Sequence, residues 1–364
     1  MEFAVVPFDP VTASREEWRR YHAYRRRRHA ETYPEDPLSD DETIETLLRR
    51  PHPEWDATRF VVLVPADEQV GELAVEHTRE GAPSHETNKH LAFLDVEVLR
   101  PHRRRGIGGA MFAKGVEEAR ARGRTVLQSW VEEEDGRAFA DSLGAKVVQH
   151  RQQNRLQLER LDWAMVAGWA KDGLARSPKT RVRWFKNHID DDVLPTYCPI
   201  YTEVFNQQPF GDQDVGDFIF TPENFREREA RMASVGATWT TAIAQEEDGA
   251  ISGLTETWYY PDEATMMFQG FTAVREADRG RGLGKWLKAV MLLRVHAEYP
   301  QVRTIVTNNA SENAAMLAIN ERLGFRTYRK AVVAQMTLEE AERYLAGRPQ
   351  VTPPSSARSP RAGT

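Results

Sequence analysis

Two stretches, RRRGIGGAMF from Arg103 and RGRGLGKWLK from Arg279, repeat one pattern of chemically able residues. Each sets an arginine three residues ahead of a glycine, a second glycine two further on, and an apolar run behind. Glycine starts a helix poorly unless the backbone needs freedom or a ligand must come close. The first amides of a helix have no internal partners, and the helix dipole favours negative charge there. Arginines at the rim add charge-assisted hydrogen bonds. The chemistry such a turn supports is anion binding, by several amides whose helix-end contacts are each worth about 0.3–1 kcal/mol. The P-loop spacing G-x-x-x-x-G-K-[ST] is absent, since Trp286 follows Lys285, and the dinucleotide spacing G-x-G-x-x-G is absent too.

The elements that must hold these turns also come twice. Arg103, Gly106 and Gly108 correspond to Arg279, Gly282 and Gly284 at an offset of 176 residues. RTVLQSW from Arg124 corresponds to RTIVTNN from Arg303 at an offset of 179, and DSLGA to ERLGF at 180. Landmarks in one order at nearly constant offset indicate two copies of one domain. In each copy a short strand (FAVVPF or RVRWF) precedes a helix, around 16–31 or 193–205. Alternating strands follow, RFVVLV with VGELAVEH and TTAIAQ with SGLTETWYY. An apolar strand, HLAFLDVEV or TMMFQGFTAV, runs into the glycine turn and its helix, which Gly123 or Pro300 ends. A buried strand, a short helix and a final strand complete the unit. The expected division is residues 1–160, a linker helix and loop at 161–180, a second domain at 181–347, and a Pro/Ser-rich disordered tail at 348–364.

R-x-x-G-x-G, found twice, resembles the turn that holds the coenzyme A pyrophosphate in the GNAT superfamily of acyl-CoA-dependent N-acyltransferases. NAAMLAINERLGF from Asn313 is similar to a later helix of that family. The tandem arrangement is similar to that of mycothiol synthase. The resemblance implies an α/β (α+β) fold of two domains, each a mixed, mostly antiparallel twisted sheet flanked by helices. It implies acetyl-CoA as co-substrate and a small-molecule amine as acceptor, attacking the thioester directly. In the second copy it assigns the pyrophosphate to Arg279, Gly280, Arg281, Gly282, Leu283, Gly284 and Lys285. In the first it assigns Arg103, Arg104, Arg105, Gly106, Ile107, Gly108 and Gly109. Thr272, Ala273 and Val274, and the stretch from Val96 to Val98, are expected to bond the pantetheine arm. The amides of Val274 and Val98 are expected to face the thioester carbonyl. Asn313 matches an asparagine that seats the coenzyme. Asn320 and Ala140 stand where many members have a tyrosine that protonates the leaving thiolate, and Glu133 stands near the place of the asparagine in the first copy.

Acyl transfer to an amine needs a base, because an amine with a pKa of about 10.4 is about one part in 10³ neutral at pH 7. Glu256, in GLTETWYY, is the expected base of the second copy and Glu97 that of the first. Asp212 and Asp214, in PFGDQDVGD, are expected to contact a cationic acceptor. The second copy, with Asn313, the LGF ending and Glu256, is expected to carry turnover, and the first to bind coenzyme weakly and buttress it. A non-catalytic acyl-CoA-binding sensor is the alternative.

Composition bounds the rest. The chain has 364 residues, a formal charge of −6 and 40% hydrophobic residues. The acidic balance argues against a nucleic-acid binder. The run Arg25–Arg28 sits beside Glu16, Glu17 and Glu31, and reads as a solvated helix face. Cys198 is the one cysteine, so no intramolecular disulfide is possible. The ten histidines form no metal-binding pattern, so no metal is expected. No stretch approaches the roughly 18 apolar residues of a membrane span, and the N-terminus lacks a signal pattern. The expectation is a cytoplasmic monomer or homodimer that contacts no membrane.

Overall fold

The computed structural model describes residues 2–347, so the tail expected at 348–364 lies outside the described residues. The first half runs β1 (Ala4–Phe8), α1 (Arg15–Thr32), α2 (Asp41–Arg49), β2 (Trp55–Val64), β3 (Glu68–Thr78), α3 (His85–Asn88), β4 (Leu91–Val98), α4 (Ile107–Ala121), β5 (Val126–Val131), α5 (Glu134–Leu143) and β6 (Lys146–Gln157). After α6 (Trp163–Arg176) come β7 (Arg181–Lys186), α7 (Leu194–Asn206), α8 (Pro222–Ala233), β8 (Thr238–Gln245), β9 (Ile251–Tyr259), β10 (Met266–Val274) and α9 (Leu283–Glu298). β11 (Thr304–Ala310), α10 (Ala314–Leu323), β12 (Arg326–Thr337) and α11 (Leu338–Ala346) end the second half. The α/β class and the mostly antiparallel sheet are as the sequence predicts.

Among the described residues all strands join one twelve-stranded sheet in the order β1-β2-β3-β4-β5-β12-β6-β11-β10-β9-β8-β7. The final strand of each half therefore lies in the sheet of the other. β12 pairs with β5, β6 pairs with β11, and the two exchanged strands pair with each other at the centre. The helix behind each goes with it. α11 packs on α4, and α6 packs on α9. The stretch expected to be a linker is thus an exchanged element. Val166 and Trp169 of α6 are buried against Leu287, Met291 and Leu292 of α9.

Within each half one strand pair is parallel and brief. β4 and β5 are in register over Leu91↔Val126, Ala92↔Leu127 and Phe93↔Gln128, and then part. β10 and β11 do the same after Phe268↔Val306. Beyond the last pair, the inner edge of β4 loses its neighbour, so its polar groups are left for something else. Apolar alternation sorts the two faces of β4. Leu94 is buried against α4, with Val96 and Val98 packed on the same core, while Asp95 and Glu97 take the opposite face beneath α1. α1 is fixed at its start by a capping box between Ser14 and Glu17.

Candidate active site

The two glycine turns have the same backbone. Arg103 and Arg279 are extended, with φ/ψ of −65°/161° and −64°/161°. Arg104 (φ 61°) and Gly280 (φ 84°) are left-handed, as are Gly106 (φ 84°) and Gly282 (φ 83°). No side chain caps α4 or α9, so their first amides face outward. A left-handed arginine costs about 1–2 kcal/mol relative to its ordinary conformation, and Arg104 keeps the turn's shape despite that cost. This is the geometry of an anion-binding nest.

In the first half the turn opens into a cleft of about 1460 Å³ that passes between the parted strands β4 and β5. Gly106, Gly108 and Gly109 line one end, and Asp95, Glu97 and Arg28 the other. A Cβ on Gly108 would stand 3.5 Å from the Phe139 ring, so a larger side chain there enters the space between turn and α5. Leu99 N–H donates to Val70 O at 3.0 Å. The antiparallel alternation then turns the amides of Val96 and Val98 away from β3, toward the gap. The Val98 carbonyl accepts from Arg103 Nε at 2.9 Å, and Arg103 Nη1 reaches Glu133 at 2.7 Å and Asp135 at 2.9 Å. Arg103 therefore shapes the turn from within, while Arg104 and Arg105 are exposed at its rim and Ile107 is buried as its anchor.

Glu97, the expected base, is already engaged. Arg28 reaches it at 3.1 Å and Glu133 at 3.0 Å, and Tyr24 Oη donates to Glu97 at 3.3 Å. Asp95, two residues earlier on the same face, has neither an ion pair nor a hydrogen bond from its carboxylate among the described residues. Asp95 is exposed and lines the cleft. Loss of solvation raises its pKa to about 7, reinforced by Glu97, Glu72 and Glu76 and opposed by Arg59. An unpaired carboxylate poised near neutrality in a cleft is what a general base requires. Sequence reasoning missed Asp95, although the alternation in LDVEV places it beside Glu97. It also took Arg25–Arg28 for a solvated face. Arg26 and Arg27 do point outward, to Asp41 and Glu68, but Arg28 lines the cleft and Arg25 bonds Asp41 at 2.7 Å.

The second half keeps the turn and fills what the turn should serve. Glu256 is fully buried. Its oxygens accept from Tyr201 Oη at 2.9 Å, Trp239 Nε1 at 3.0 Å and Phe271 N at 3.3 Å. Burial pushes its carboxyl up, against the neighbouring Arg228 guanidinium and these donors. Arg228 lies over the rings of Phe225 and Trp239, at 5.3 Å from each. Glu256, the expected base, is thus a core group whose oxygens are committed to these donors. Thr272 is bonded to Thr255 at 2.7 Å, and Ala273 packs in the same aromatic core. The Val274 amide still faces away from β9, because Arg275 N–H donates to Ser252 O at 3.0 Å.

The rim of the second turn is also taken. Arg281 is bonded to Glu246 at 2.8 Å, Asp278 at 2.9 Å and Thr180 at 2.7 Å, and Arg279 to Gln207 at 2.7 Å. α6 runs so close to α9 that a Cβ on Gly173 would stand 2.2 Å from Trp286. Lys285 lies 5.8 Å from the Trp169 ring, and Gly284 faces Ile319. Leu283 is buried. Asn313 is the N-cap of α10, accepting from Met316 N at 3.2 Å, and Asn320 bonds Asn309 at 2.9 Å in the core. The cleft described above is lined mainly by the first half, whereas the residues around the second turn are bonded to one another. Asp212 and Asp214 lie in a loop that does not line the cleft of the first half. Their loop is strapped onto the first half, with Asp212 N bonded to Val148 O at 2.8 Å and Asp214 beside His90 at 3.2 Å.

Residues 18–144 match the family described as acetyltransferase (GNAT) family. A tandem GNAT protein from the clavulanic acid biosynthesis pathway, determined without acetyl-CoA, superposes with a TM-score of 0.73 at 24% identity. That match covers 93% of this chain and 99% of the other. The protein carries the tandem GNAT fold. A GCN5-related N-acetyltransferase from Sphaerobacter thermophilus has the same GNAT fold, with a TM-score of 0.61 at 13% identity over 92% of this chain and 96% of its own. A glucosamine N-acetyltransferase region of a fungal multi-domain GH3 β-N-acetylglucosaminidase matches at a TM-score of 0.62 and 13% identity, over 92% of this chain and 38% of that one. Among curated proteins no sequence match is found. The family match falls on the half with the open cleft. Among the described residues, no group of three or more His, Cys, Asp or Glu is placed to hold a metal ion, and no helix is long and apolar enough to cross a membrane.

Proposed function

We propose that the protein is an acetyl-CoA-dependent N-acetyltransferase of a small amine, and that its working site is the cleft of the first half. The observation that carries this is the continuity of that cleft from the anion-binding turn, through the parted strands, to the unpaired Asp95. The residues fit the coenzyme. The Gly106 turn and the free amides of α4 would hold its pyrophosphate, with Arg104 and Arg105 at the rim. The free edge of β4 would bond its pantetheine arm. Bound there, acetyl-CoA supplies an activated acyl carbonyl.

The chain's own groups do the rest. The Val96 and Val98 amides point where negative charge develops on a carbonyl oxygen, and such preorganised donors are worth about 3 kcal/mol each when removed. Asp95 takes the proton of the attacking amine, directly or through water. Glu97, Arg28 and Glu133 hold β4, α1 and α5 together around the reacting centre. Ala140 offers no acid, and a thiolate of pKa about 8.5 leaves without one. Thiol release from acetyl-CoA against a panel of amines tests the reading. Turnover that is lost in Asp95→Asn and kept in Glu256→Gln supports it. Absence of thiol release with every amine refutes it.

A further inference from the structure

The floor of the acceptor end is over-supplied with negative charge in one particular pattern. In the β3–β4 register Glu76 stands opposite Phe93, and Ala74 opposite Asp95. Glu76 is therefore the diagonal neighbour of Asp95 on the same face, about 7–8 Å away. Phe93 lies between them, opposite one and two residues from the other. The other diagonal neighbour, Glu72, is satisfied: Arg59 reaches it at 3.0 Å and Tyr21 at 3.3 Å. Arg59 also serves Glu76, at 3.5 Å, but the Glu76 side chain remains 43% exposed. Arg59 thus pairs with Glu72 and Glu76 but not with Asp95, and these four groups carry a net charge of −2 when all are ionised. Glu76, Phe93 and Asp95 all line the cleft, and so does Trp130, which is 43% exposed.

We propose that the acceptor is a small dication, an aliphatic diamine or polyamine, whose reacting amine meets Asp95 while its second ammonium rests on Glu76 and its methylene spacer on Phe93. This rests on the acetyltransfer reading above. A monoamine leaves Glu76 exposed beside Asp95 and keeps the floor under-neutralised. A second ammonium four carbons away restores balance at the spacing the strands set. An acceptor with a carboxylate at that position meets Glu76 as a like charge and is rejected. In the step itself the neutral amine nitrogen forms the N–C bond, the C–S bond breaks with its electrons going to sulfur, and Asp95 takes the proton lost from nitrogen. Glu76 is a specificity residue and exchanges no proton.

The test is thiol release at saturating acetyl-CoA with three probes of one length: 1,4-diaminobutane, n-butylamine and 4-aminobutanoate. The expected order of kcat/KM is diamine over butylamine by tenfold or more, with 4-aminobutanoate last. In Glu76→Gln the diamine-to-butylamine ratio should collapse to about 1, through KM. Circular dichroism checks that the variant is folded, and calorimetric binding of 1,4-diaminobutane to the unaltered protein gives a readout that needs no variant. Equal use of diamine and butylamine, or an unchanged ratio in Glu76→Gln, overturns the dication while leaving the acetyltransferase reading intact. Thiol release with none of the probes but with another amine does the same. Thiol release with no amine at all overturns both.

Discussion

Asp95 and Glu97 stand on one face of one strand, and their surroundings give them different work. Glu97 is tied to Arg28 and Tyr24, whereas Asp95 has only the cleft before it. Asp95→Asn should lower kcat by about 10²-fold or more, the usual scale for a general base, with acetyl-CoA affinity unchanged in calorimetry. Asp95 must be ionised to accept a proton, and loss of solvation with Glu97, Glu72 and Glu76 nearby, against Arg59, holds its pKa near 7. The pH profile of kcat/KM should therefore fall on the acid side of about 7, and that inflection should disappear in Asp95→Asn. The same shift sets a stability effect of opposite sense. The folded chain holds this proton more tightly than the unfolded one, so stability is lost as pH rises from the ordinary carboxyl range through about 7. Asp95→Asn should then melt higher than the parent at pH 8, a trade of stability for activity that thermal denaturation reads directly.

At the scale of elements, the exchanged strands do more than complete a sheet. Arg155 of β6 forks onto Asp36 at 2.7 and 2.6 Å and stacks on Tyr328 of β12 at 3.3 Å. Arg329 lies over the Tyr33 ring at 4.1 Å and donates to Thr32 O. Both clamp the α1–α2 connection, whose Tyr33 and Ser39 line the cleft. Arg155→Ala leaves Asp36 enclosed and unpaired, which should cost about 3 kcal/mol of stability and raise KM for the acceptor in steady-state kinetics. Gly173→Ala should destabilise the fold by about 1–3 kcal/mol through overpacking against Trp286, seen as a lower melting temperature, with acetyl-CoA affinity retained. The strands, the glycine turns and the long helices were legible in the sequence because alternation, 3.6-residue spacing and duplication are local signals. The exchange was not, because a final strand reads alike whichever half it pairs with. Nor was the closure of the second half. Glu256 among aromatics describes a cleft and a core equally well, and the close approach of Gly173 to Trp286 is set by α6, which in the sequence looks like a linker.

For the whole molecule, the exchange makes the halves one cooperative body. β5 has no neighbour on one side without β12, and β11 none without β6. Calorimetry of the full chain should show one unfolding transition, and two well-separated transitions would mean that the exchanged strands contribute little. The cleft is lined mainly by one copy, and the other contributes Ala334, Met336 and Tyr344 to the lining. The two turns have the same backbone, so shape alone would let both bind. The most direct measurement is isothermal titration with acetyl-CoA of the parent, Gly108→Val and Gly284→Val, each checked for folding by circular dichroism. The expected result is one equivalent bound by the parent and by Gly284→Val, and a loss of affinity of tenfold or more in Gly108→Val. Two equivalents in the parent, or loss of binding in Gly284→Val with Gly108→Val intact, would contradict it.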